Sequence, residues 1–105
     1  MRYYHGEEIP RDFSGYCYIE STQEHQWRLN GKLHRLDGPA VIYTKNNTQI
    51  WYKHGELHRI GGPSITYGRD GTKLYHIEGK TMKYSDYINH HVNIKYKLDA
   101  ILKLV

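Results

Sequence analysis

From Trp27 onward, apolar and polar positions follow one another in an order that returns almost unchanged from Trp51. Residues 27–43, W-R-L-N-G-K-L-H-R-L-D-G-P-A-V-I-Y, recur as residues 51–67, W-Y-K-H-G-E-L-H-R-I-G-G-P-S-I-T-Y, each matched position displaced by 24. Tyr75 and Gly79 open a further copy at the same spacing. A period in the twenties implies one supersecondary unit per copy, which buries its apolar face by stacking on its neighbours.

The unit reads as β. Asn30-Gly31 separates Trp27-Arg28-Leu29 from Lys32-Leu33-His34, and Asn-Gly supplies the positive φ at both central positions of a type I′ hairpin turn. His54-Gly55 and Glu78-Gly79 are poorer versions of the same turn. Gly38-Pro39 and Gly62-Pro63 end the second strand, because proline has no amide hydrogen for a ladder. The next strands are expected at 40–44 and 64–67, followed by polar turns, which makes an antiparallel meander. Val41 and Tyr43 recur as Ile65 and Tyr67, whereas Ala40 and Ile42 recur as the more polar Ser64 and Thr66. The alternation therefore assigns Val41, Tyr43, Ile65, Tyr67 and the Trp27, Trp51 and Tyr75 column to the inner face.

The flanks differ from these copies. Residues 3–26 read as a degenerate first repeat, with Gly6 25 positions before Gly31 and Tyr16-Cys17-Tyr18 over Val41-Ile42-Tyr43 at that offset, but without the His-Arg and Gly-Pro pairs. Residues 27–50 and 51–74 are full repeats, and 75–80 a partial third. From 81 to 105 no turn signal occurs, and Ile94, Leu98, Ile101, Leu102 and Val105 recur at helical spacing, as do Tyr84, Tyr87, Ile88 and His91. Two short helices or one bent helix are expected there, with Ser85 or Thr81 as the cap and the break near 91–93. The expected fold is one α+β domain over residues 1–105: an antiparallel β-sheet of tandem ~24-residue β-hairpin repeats with a C-terminal helical cap.

The segments N-G-K-L-H-R-L-D-G-P-A and H-G-E-L-H-R-I-G-G-P-S resemble the W-x-x-N-G-x-x-H-R-x-x-G-P-A tandem repeat of small bacteriophage proteins and of proteins from large DNA viruses. The likeness covers about half of the chain well. It implies a viral origin and a repeat fold, and it brings no reaction with it. The period and hairpin layout are also similar to MORN repeats, although the glycine spacing of a MORN unit is missing.

Composition narrows the function. A chain of 105 residues supports one thin core. Eleven Tyr against one Phe suit a sheet wetted on one side, and equally a recognition surface. A single cysteine, Cys17, excludes an internal disulfide and a cysteine-based zinc site and points to a reducing compartment. No apolar run reaches membrane-spanning length, and the opening residues show no signal-peptide core, so no membrane partner is expected. The net charge of +4 is uneven: the first 26 residues carry two Lys/Arg against five Asp/Glu, and the last 26 carry five against two. Such a basic body steers acidic partners.

The candidate binding residues are the pairs His34-Arg35 and His58-Arg59, together with the mixed aromatic and basic runs that contain Tyr52-Lys53 and Tyr96-Lys97. Arginines one copy apart form a cationic ladder suited to carboxylates or phosphates. The competing reading is that the arginine brackets the Gly-Pro turn and packs along the tryptophan column. The eight histidines lack metal-ligand spacing, and no nucleophile motif, phosphate loop or paired-carboxylate pattern occurs. No cofactor, metal or catalytic residue is therefore expected. The resulting expectation is a non-enzymatic protein-binding module, which the viral resemblance makes a phage accessory protein acting on a host protein, such as a defence enzyme, in the cytoplasm of the infected cell. The alternative is a nucleic-acid binder using a basic, Tyr-rich sheet face. The basic C-terminal segment is a further candidate for the binding element, and an exposed sheet edge would permit a homodimer.

Overall fold

The computed structural model describes residues 2–4 and 9–103. Its strands are β1 (Arg2–Tyr4), β2 (Gly15–Ile19), β3 (Glu24–Leu29), β4 (Lys32–Leu33), β5 (Val41–Tyr43), β6 (Thr48–Ile50), β7 (Tyr52–Lys53), β8 (Glu56–Leu57), β9 (Ile65–Thr66), β10 (Lys73–Ile77) and β11 (Lys80–Met82). They are followed by helices α1 (Tyr84–Asn89) and α2 (His91–Leu102). Most strand pairs are antiparallel, so the fold is α+β with its helices near the C-terminus. Among the described residues the main sheet runs β1-β2-β3-β5-β6-β9-β10-β11, with β4 also on β3, and β7 and β8 pair separately. Two features depart from the expected meander: β1 lies parallel to β2, and β6 pairs with β9 while β7 and β8 pair apart from the main sheet.

Three tight turns join β3 to β4, β7 to β8 and β10 to β11. Each has positive φ at both central residues: Asn30 and Gly31 (50° and 80°), His54 and Gly55 (49° and 82°), Glu78 and Gly79 (49° and 82°). That is the type I′ geometry, whose twist matches the flanking strands. His54 and Glu78 accept the left-handed conformation that Asn30 takes more readily.

The register corrects the expected inner face. Cys17 and Val41 both lie opposite Gln26, Val41 opposite Ile50, Ile50 opposite Ile65, and Ile65 opposite Leu74. This row crosses the sheet and contains the buried Cys17, Gln26, Val41 and Ile65. Because side chains alternate, Trp27, adjacent to Gln26, leaves from the opposite face. There it joins Tyr16, its cross-strand neighbour, with ring centroids 5.0 Å apart, and His25 at 6.4 Å. The tryptophan column and the Val41/Ile65 row therefore serve different faces. Ala40 and Ser64 are fully buried despite their small size, whereas Tyr67, placed inside by the alternation, is 40 % exposed. It directly follows β9, at the open end of the β9–β10 ladder, where Tyr67 N–H bonds Thr72 O.

The C-terminal segment divides into two short helices, with the break at His90, just before the expected 91–93, which begin α2. His90, between α1 and α2, is extended at φ −61° and ψ 137°. Lys83 occupies the N-cap of α1 without a side-chain hydrogen bond, so neither Ser85 nor Thr81 caps it. Thr81 and Met82 belong to β11, and the strand outlasts the expected boundary at 80. Tyr87 is the buried residue of α1; its ring lies 4.8 Å from Tyr75. Its hydroxyl is directed at the carbonyls of Arg59 and Gly62 and accepts the Gly62 amide at 3.1 Å. The helix is thereby locked onto the loop that follows β8.

Candidate functional site

The site is built from the two loops after β4 and β8, which carry the His-Arg and Gly-Pro pairs. In each, the arginine turns back over its own copy's tryptophan: the Arg35 guanidinium carbon is 3.8 Å from the Trp27 ring centroid, and that of Arg59 is 4.0 Å from Trp51. A guanidinium over an indole face is held by the ring quadrupole and by planar stacking. Its Nη1 donates to the proline carbonyl that closes the loop, Arg35 to Pro39 and Arg59 to Pro63, both at 3.2 Å. The glycine before each proline leaves room for the guanidinium. A methyl group on Gly38 would sit 2.8 Å from Arg35 Cζ, and one on Gly62 would sit 2.7 Å from Arg59 Cζ. Tryptophan, arginine, glycine and proline are thus one local device.

The histidines work between copies. His34 Nδ1 accepts the backbone N–H of His54, and His58 Nδ1 accepts that of Glu78, each at 2.9 Å. Beside them, Gly55 N–H bonds Leu33 O and Gly79 N–H bonds Leu57 O, each at 2.8 Å. Since a backbone N–H can only donate, both Nδ1 atoms are unprotonated. Burial holds both imidazoles below the ordinary histidine range; nearby His54 and Lys53 reinforce this at His34, and Lys53 does so at His58, against the pull of Glu78 and Glu56. Before the first copy, Phe13 O takes the Gly31 amide at 2.9 Å and Ser14 Oγ takes that of Asn30 at 2.8 Å. Phe13-Ser14 therefore fills the place of Leu-His, a correspondence that the offset from Gly6 misses; Gly6 itself lies outside the described residues.

Between the two loops lies a pocket of about 190 Å³, lined by Arg35, Leu36, Trp51, Lys53, His58, Arg59 and Ile60. The structure thus brings together four of the sequence-derived candidates: Arg35, Arg59, His58 and Lys53. His34 packs instead against His54, with ring centroids 4.3 Å apart and the planes tilted by 35°. Tyr52 is half-buried, and burial together with the neighbouring Glu24 raises its phenol above the usual range. Lys97 lines a second pocket of about 320 Å³, formed with Gly61, Gly62, Pro63, Tyr75, Tyr84, Tyr87 and Ile88. Tyr96 belongs to α2, and its side chain lies outside the described residues.

The exposed apolar residues add what the candidate set lacked. Leu36 is 74 % exposed, Ile60 39 % and Tyr84 59 %, and these three positions are 24 residues apart. Leu36 and Ile60 flank the first pocket and Tyr84 lines the second. The signal was present in the sequence, because an apolar residue follows the arginine in both full copies. The reading of the motif rested on the His-Arg and Gly-Pro pairs, and Leu36 and Ile60 fall between them.

The two arginines differ in one respect. Arg35 Nε donates to Asp37 Oδ1 at 3.0 Å, an ion pair in which the carboxylate is 87 % exposed. Gly61 replaces Asp37 in the second copy, and among the described residues no carboxylate pairs with Arg59. Among those residues, no group of three or more His, Cys, Asp or Glu is arranged to hold a metal ion, and no helix is long and apolar enough to cross a membrane. Comparison of the chain with protein-family models, with curated proteins and with solved structures gives no match.

Proposed function

We propose that the chain is a non-enzymatic protein-binding module: a tandem array of ~24-residue β-hairpin units closed by a helical cap, with the loop side of the array as its contact surface. The observation that carries this reading is that Leu36 and Ile60 are exposed at one position of both full copies beside a pocket, with Tyr84, 24 residues further on at the start of α1, exposed beside a second. The scaffold consumes most of the polar chemistry of its motif, since the arginines are seated on tryptophans and the histidines on backbone amides. The apolar row remains for a partner, and repetition multiplies a weak contact along one line.

The resemblance to viral tandem-repeat proteins extends the proposal to a phage accessory protein that engages a host protein, such as a defence enzyme, in the infected cytoplasm. The nucleic-acid alternative loses weight, because the exposed residues beside the arginines, Leu36 and Ile60, are apolar, and the Nε of Arg35 is already taken by Asp37. The experiment is affinity purification of the tagged chain from a bacterial lysate, with and without nuclease. A stoichiometric protein retained after nuclease is expected. Material that disappears with nuclease would replace this reading with nucleic-acid binding.

A further inference from the structure

We infer that the loop-side row takes an acidic, extended polypeptide segment, with one of its carboxylates on Arg59 and an apolar side chain in the pocket between Leu36 and Ile60. This rests on the protein-binding reading and specifies its ligand. The first copy supplies the template. There, Asp37 places a carboxylate oxygen 3.0 Å from Arg35 Nε while the rest of the guanidinium holds Trp27 and the Pro39 carbonyl. In the second copy the arginine keeps its tryptophan and its proline carbonyl, but glycine stands where the aspartate was. The Nε edge of Arg59 therefore offers a ligand carboxylate the geometry that Asp37 already uses.

The surroundings agree in charge and size. Lys53 stands with both arginines around the pocket, and Lys97 stands at the next one. A volume of about 190 Å³ is below the usual range for small-molecule sites, roughly 300–1,000 Å³, and suits a single inserted side chain. Spacing sets the conformation of the segment. Arg35 N–H bonds Tyr52 O and Gly55 N–H bonds Leu33 O, and the same pattern joins Arg59 to His76 and Gly79 to Leu57. Each copy thus adds two laterally bonded strands, and at about 4.8 Å per strand the exposed anchors advance about 10 Å per copy. Three residues of polyproline II chain, at about 3.1 Å each, span nearly that distance, and its three-residue turn returns every third side chain to one face. The segment is expected to present an apolar residue at every third position with acidic residues between.

The probe is a fluorescently labelled peptide of three Leu-Glu-Glu triplets, titrated with the full chain and read by anisotropy. Asp37→Ala frees the Nε edge of Arg35 and is expected to tighten binding several-fold, whereas Glu20→Ala, the same charge change at a remote exposed site, leaves it unchanged. Ile60→Glu removes the apolar anchor and sets a carboxylate beside Arg59; it is expected to weaken binding about tenfold or more, the scale of a charge-assisted contact. Lys45→Gln, its charge-matched control, is expected to bind as wild type. Equal responses from variants and controls, equal affinity for a peptide with the same residues in scrambled order, or tighter binding of a single-stranded oligonucleotide that Ile60→Glu abolishes would overturn the inference. A host protein captured after nuclease and indifferent to Asp37→Ala and Ile60→Glu would keep the binding-module reading and remove this ligand.

Discussion

Gly62 lies so close to the guanidinium of Arg59 that a methyl group on its Cα would come within 2.7 Å of Cζ. This contact makes the Gly-Pro pair part of the arginine's seat as well as the end of a strand. Gly62→Ala is expected to cost about 1–3 kcal/mol, the usual range for overpacking. In an Arg59→Ala background the same change should cost much less, because the obstructing group is gone. A double-mutant cycle by chemical denaturation measures the coupling; additive costs would show that the two residues do not share this contact.

The arginine seat also ranks substitutions at Arg59. Arg59→Ala is expected to destabilise by about 1–2 kcal/mol through loss of the indole contact and of the bond to Pro63 O. Arg59→Lys should recover little of this, since an ammonium has no planar face to lie on Trp51. Asp37→Ala should change stability by less than about 0.5 kcal/mol, because the carboxylate is 87 % exposed and such pairs contribute little. Urea titrations of the three variants test the order.

Acidification should loosen the fold through the histidines. Burial lowers the pKa values of His34, His58 and His76 in the folded protein, while the unfolded chain takes up its protons near the ordinary value of about 6.5. Below that value the unfolded state binds more protons, so the stabilisation is complete above about pH 6.5 and is lost as pH falls. At His34 and His58 a second proton would also sit on the nitrogen that accepts the next turn's amide. Melting temperatures from about pH 7.5 to 5 should decline, and His58→Asn, which keeps an acceptor but does not titrate, should show a shallower decline. An unchanged slope in His58→Asn would contradict this role.

Much of this architecture was legible because its causes are local. Asn30-Gly31 announces a type I′ turn, and the same offset identifies His54-Gly55 and Glu78-Gly79 as its equivalents. The competing reading of the arginines, as brackets of the Gly-Pro turn on the tryptophan column, matches the seat of Arg35 and Arg59. What escaped depends on distant partners. Gln26 opposite Val41 decides that Trp27 belongs to the other face, and no alternation within one strand can reveal that register. Tyr87 escaped for the same reason. It looked like one residue of a helical stripe, and its bonds to Arg59 and Gly62 span more than 20 positions.

Those bonds make Tyr87 the fastening of the C-terminal cap. Tyr87→Phe keeps the ring on Tyr75 but leaves the loop amide and carbonyls without their hydroxyl partner, at an expected cost of about 1–3 kcal/mol. Hydrogen exchange should then accelerate in α1 (Tyr84–Asn89) and at the Gly62 amide ahead of the β2 and β3 strands. Equal acceleration throughout the chain would mean that the helix is not a separately fastened element.

The central claim, recognition of a protein through the loop-side row, is tested most directly by comparing captures from lysate after nuclease treatment. The baits are the wild-type chain, Lys45→Gln and the double variant Leu36→Asp/Ile60→Asp. Both substituted side chains are exposed, so the double variant is expected to keep its fold by circular dichroism and melt within a few degrees of wild type. The account predicts a stoichiometric protein on wild type and Lys45→Gln that is absent from the folded double variant. The same protein held equally by all three baits would contradict it and move recognition to another face.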